Sequence, residues 1–191
     1  MEDAPLYKQR RRYTRELHDV DLHGNHKLHV VFTSKGQDVV EMLSTLKRKL
    51  GGMPVKLVGV DVEPMELEKF LMNDEYTFAG FAIEGDKNKL KLSGLEINYE
   101  NYIDIQVEWR DPYNKKKFGS LADVAGKLLD IHYHDMKNKI NRTEDHTLLG
   151  FCPLPDKLIK YATVDAFATY ESWRIVYDVI MGLDIAKEKK K

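Results

Sequence analysis

The chain has 191 residues, 42% of them hydrophobic, which is enough for one cored domain and too few for two of ordinary size. Its 30 basic and 31 acidic side chains leave a formal net charge of −1, which excludes the polyanion-binding field of a strongly basic domain and confines any nucleic-acid contact to local patches. The single cysteine, Cys152, excludes an internal disulfide framework and a four-cysteine zinc site, as expected of a reducing cytoplasmic or nuclear compartment. No apolar run reaches the roughly 20 residues of a membrane helix, and the opening MEDAPLYKQRRRYTREL has no signal-peptide core, so an intracellular protein without membrane contact is expected.

Residues 1–27 are polar and charged, with KQRRR at 8–12, and read as a peripheral basic arm; five residues decide neither nuclear import nor nucleic-acid binding. LHVVFTS (28–34) predicts a strand. The following KGQDVVEMLSTLKRKLGG repeats Val39, Val40, Met42, Leu43, Leu46 and Leu50 at helical spacing and stops at Gly51-Gly52. VKLVGVDV (55–62) is almost continuously apolar and β-branched, as a strand covered on both faces must be. PMELEKFLMND then predicts a helix with Pro64 in its first turn. Strands are expected at 77–83 (TFAGFAI) and 101–109 (NYIDIQVEW), with the short helix DKNKLKLS between them. Helices follow at 120–132 and 155–182, separated by a polar loop, and a charged tail occupies 183–191. Alternating strands and helices predict an α/β fold with a mostly parallel sheet flanked by helices, occupying residues 28–182.

In such sheets, sites form beyond the carboxyl ends of the strands, and three acids fall there. Asp61 and Glu63 close the first central strand, and their spacing of two puts both on one side of it. Asp86 follows the next strand, where a structural role as helix N-cap competes with a catalytic one. Tyr161 and Asp165 are four apart on the last helix and share a face; packing on the sheet and solvation are their ordinary roles. Four carboxylates and a phenol are what a two-metal phosphodiesterase site requires: hard oxygen donors hold Mg²⁺ or Mn²⁺, and a phenol orients water.

The order VGVDVE, GFAIEGDKNKL, YATVDAFATY resembles the three motifs of the DEDDy class of 3′–5′ exonucleases, in the Werner-syndrome-helicase-like and ribonuclease D-like branch that includes small plant proteins. The resemblance covers roughly residues 28–182, and its most specific part is the Y-x-x-x-D of the third motif. It implies an RNase H-like fold, with Asp61, Glu63, Asp86 and Asp165 as ligands of two Mg²⁺ or Mn²⁺ ions and Tyr161 positioning the attacking water. The implied substrate is a single-stranded or recessed 3′ end of nucleic acid. TLLGFCPLPDKLIKYA resembles the segment leading into the third motif, with Leu149 near where many relatives carry tryptophan.

The chain departs from the family after Glu63. There the family has a second and a third strand, in a sheet ordered 3-2-1-4-5; here PMELEKF, resembling the helix beyond them, follows at once. Removing those strands together preserves a strand, helix, strand crossover but turns the first strand into a sheet edge. That edge calls for a cover: LHVVFTS, the basic arm or a second copy in a homodimer. The alternative to an enzyme is a catalytically impaired relative acting as a nucleic-acid- or protein-binding module.

Two further clusters invite chemistry. His18, His23, His26 and His29 with Asp19 and Asp21 match no zinc spacing, and a polar turn entering a strand explains them better; HYHD at 132–135 reads the same way. The lysines of NKKKF (114–118) and KNKLK (87–91) offer phosphate contacts, although such runs are usually solvated faces.

Overall fold

The protein is described here from a computed structural model, which covers residues 13–22, 26–52, 57–59, 68–92, 98–111, 114–134 and 154–180. It is α/β, built from a two-stranded antiparallel hairpin, a three-stranded parallel sheet and the helices around them.

The hairpin joins β1 (Thr14–Asp21) to β2 (Lys27–Thr33). Residues 14–21, read from the sequence as part of a polar arm, are therefore a strand. Their polarity reflects a sheet whose alternate residues face water, a pattern that mimics disorder when the partner strand is unknown. The register shifts between Leu17 and Val20, and Asp19 there has φ 57°, a left-handed conformation that aspartate tolerates better than most residues. At the far end, the Thr14 and Thr33 hydroxyls lie 3.0 Å apart, and both donate to the Asp38 carboxylate. Asp38 stands in the first turn of α1 (Gly36–Leu50), so this three-residue network docks the hairpin on the helix.

The parallel sheet contains β3 (Leu57–Gly59), β4 (Thr77–Gly80) and β5 (Tyr102–Asp104), in the order β3-β4-β5. The expected 28–34 strand does not cover β3; it pairs with β1 in the separate hairpin. Between β3 and β4, the described part of the expected helix is α2 (Glu68–Leu71). Successive residues of the central strands face opposite layers. Phe78 joins Leu50, Phe70, Leu71 and Tyr76 in one core, with Leu43, Leu46 and Tyr102 packed against it. Ala79 joins Ile105, Phe118, Val124, Trp173 and Val176 in another, with Ile103 alongside. One face of the sheet is thus covered by α1 and α2, and the other by α5 (Leu121–Leu128) and α6 (Asp156–Ile180). The apolar stripe read on α1 is wider than the buried one: Leu43, Leu46 and Leu50 face the core, whereas Val40 and Met42 are exposed.

Two expected strands are shorter than read. The 77–83 strand stops at Gly80, and 101–109 divides into β5, after a 3-10 turn at Tyr99–Asn101, and a one-turn helix, α4 (Ile105–Glu108). Asp104 causes that switch, because its side chain accepts from the Gln106 N–H at 2.9 Å and caps α4. Ser120 caps α5 similarly: its Oγ accepts from the Asp123 N–H at 3.2 Å and donates to the Asp123 carboxylate at 2.8 Å.

Candidate active site

The sheet's carboxyl edge is shaped by the segment after β4. At Gly80 an added Cβ would lie 1.9 Å from the Ile83 Cγ2, so the side chain of Ile83 folds back onto bare backbone. Ala82 adopts φ 56°, and the Ala82 and Ile83 N–H groups donate to the Asp104 carboxylate at 2.9 and 3.1 Å. Asp104 thereby ties three amides, two from the neighbouring strand's exit and one from its own helix. Only three residues separate Gly80 from the start of α3 (Glu84–Leu92).

Asp86 is the third residue of α3, exposed and in its first turn. It therefore does not occupy the N-cap position that offered its simplest structural role. A carboxylate there is still favoured by the partial positive charge of the helix start.

Tyr161 and Asp165 lie in the first half of α6, and both are half-buried. Asp165 has its Oδ1 shielded from solvent. Around them, Val164, Phe167 and Ala168 belong to a cluster with Leu121, Ala122, Ala125 and Tyr133, against which Phe81 also packs. Phe81, the residue immediately after β4, thus packs against the same cluster as Ala168, three residues beyond Asp165. Farther along α6, Trp173 and Val176 pack with Ala79 and Ile105, holding the helix along the sheet. Asp61 and Glu63 fall outside the described residues, as do Leu149 and Cys152. The strand that leads to the two acids, β3, is parallel to β4, with Gly59 in register with Ala79.

Asp104 went unrecognised in the sequence. An aspartate preceding a helical turn is a cap signal, but the apolar continuity of YIDIQVEW favours an unbroken strand. In the basic run, residues 114–117 are exposed, with Lys117 bridged to Arg110 and Lys115 at φ 59°, whereas Phe118 is buried. Asp111, buried at its base, pairs with Lys127, whose ammonium also sits 5.1 Å above the Phe118 ring. In the second run, Lys87 lies 5.3 Å over the Tyr99 ring. Of the HYHD histidines, His132 meets Tyr133 edge-on and His134 fills the space beside Gly126, where a Cβ would lie 2.6 Å from its ring.

No family model, curated protein or solved structure matches the chain. Among the described residues, no helix is long and apolar enough to cross a membrane.

Proposed function

We propose that the protein is a metal-dependent 3′–5′ exonuclease-like enzyme of RNase H-like architecture, acting on nucleic-acid 3′ ends. The observation that supports this reading is that Phe81, between β4 and the helix bearing Asp86, packs against a cluster that includes Ala168, three residues beyond Asp165 on α6. The parallel order β3-β4-β5 supports it, since it is the 1-4-5 part of the family sheet once strands 2 and 3 are removed. The donor set fits hard divalent cations: Asp86 is exposed and Asp165 half-buried, and both offer carboxylate oxygens. Asp86 and Asp165, with Asp61 and Glu63, would hold Mg²⁺ or Mn²⁺, which supply charge stabilisation to the attacking and leaving oxygens. Tyr161, four residues before Asp165 and on its face of α6, would orient the water.

The test is digestion of a 3′-labelled single-stranded oligonucleotide with Mn²⁺. Wild type should release labelled mononucleotide, Asp86→Ala and Asp165→Ala should abolish release, and Tyr161→Phe should slow it on the order of 10²-fold. Cleavage that persists in both alanine variants overturns the site. Absence of cleavage by folded wild type, with retained oligonucleotide binding, points instead to a binding module. β3 is the last strand of the described sheet, which supports edge-to-edge pairing of two copies; sedimentation of a monomer at micromolar concentration would refute that pairing.

A further inference from the structure

The hairpin assembles a group that the histidine spacing alone does not reveal. Glu16 and His18 are two apart on β1, and His29 lies on β2. The pairing of Leu17 with Val30 brings the next residues, His18 and His29, side by side, and the register shift follows immediately. Their rings are stacked, with centroids 4.6 Å apart and planes 4° from parallel. Both Nε2 atoms approach one carboxylate oxygen: Glu16 Oε2 is 3.1 Å from His29 and 3.7 Å from His18.

We propose that Glu16, His18 and His29 bind one divalent transition-metal ion, best matched by Zn²⁺. Their ligand atoms all lie within 4.8 Å of one another, and donors around tetrahedral zinc with bonds near 2.1 Å stand about 3.4 Å apart. To close the site the two stacked rings turn out of their parallel arrangement, so that both Nε2 lone pairs point at one ion. Two imidazoles and a carboxylate suit zinc better than magnesium, which prefers oxygen donors throughout. All three side chains are at least half exposed, so an ion can enter and water can complete the coordination. The ion would cross-link β1 to β2 beside the register shift, where the ladder is interrupted. Two-stranded ribbons are marginal on their own, so this clip would set the order of the hairpin that docks on α1. The site is separate from the proposed catalytic carboxylates in sequence and in element.

Equilibrium dialysis of the full chain against Zn²⁺ tests it, with hydrogen exchange of the hairpin amides as the second readout. One ion should bind more tightly than about 10 µM. His18→Ala and His29→Ala should each weaken binding at least ~100-fold, and Glu16→Gln should weaken it ~10-fold or more. Asp86→Ala/Asp165→Ala and His132→Ala/His134→Ala should retain it. Zn²⁺ should slow exchange at residues 14–21 and 27–33 in wild type and not in His29→Ala. Because the three side chains are exposed, their substitution should leave the fold intact, which circular dichroism verifies. Absence of tight binding, or binding that survives in His18→Ala and His29→Ala but is lost in Asp86→Ala/Asp165→Ala, overturns the proposal. That outcome leaves the nuclease reading standing, just as failed digestion would leave this site standing.

Discussion

Individual side chains here carry effects that their surroundings make calculable. Ser172 is fully buried on α6, and its hydroxyl meets no hydrogen-bond partner among the described residues. Such a hydroxyl is desolvated without compensation, and alanine is the better helix former. Ser172→Ala should therefore raise stability by about 1 kcal/mol in urea unfolding; a loss of that size would mean the hydroxyl is satisfied. Asp38 illustrates the opposite case. The Thr14 hydroxyl holds its carboxyl below the ordinary value; desolvation, the next largest effect, opposes it, and Thr33 and the charge of Lys35 add smaller lowering effects. The unfolded chain then takes up the proton at higher pH than the folded one. The stabilisation is complete above the ordinary carboxylate pKa and disappears as pH falls through the depressed value. The melting-temperature gap between wild type and Asp38→Ala should be widest at neutral pH and close in acid. A gap independent of pH would show that the charge is irrelevant to docking the hairpin.

Among the elements, the junction of β5 and α4 determines the shape of the candidate site. Asp104 caps α4 and receives two amides from the turn after β4, so one carboxylate fixes both the end of its strand and the start of α3. Asp104→Ala should cost about 2 kcal/mol, more than an isolated cap, because three amides lose an ionic acceptor. It should also slow digestion while Asp86 and Asp165 remain present, a positioning effect. Unchanged stability would assign the three amides to other acceptors. The periodicity of the α6 segment was legible because its buried residues, among them Leu158, Ala168, Trp173 and Val176, fall on one side of the helix. The strand at 14–21 and the break at 104 were not. The first depends on a partner strand beyond a turn, and the second depends on a hydrogen bond from a carboxylate to its own helix.

For the whole molecule, the two cores meet at the central strand. Phe78 is fully buried there, with its ring centroid 5.4 Å from Phe70, 6.4 Å from Tyr76 and 4.9 Å from Tyr102. Phe78→Ala should cost about 3–5 kcal/mol and shift urea unfolding of the sheet and α1 together. Separate transitions by fluorescence and circular dichroism would show that the layers are uncoupled. The alternation that makes this strand central, Phe78 to one layer and Ala79 to the other, follows from the pleat and is written in TFAGF.

By itself, the sequence determined the α/β alternation and the helices at 36–50 and 156–180, because hydrophobic period is a local property. Only the tertiary structure decided that Asp86 lies inside a helix turn rather than at its cap, that Phe81 packs against the same cluster as Ala168 of α6, and that His18 stacks on His29. Those relations depend on strand register and on packing between residues distant in the chain. No spacing within a single segment encodes either.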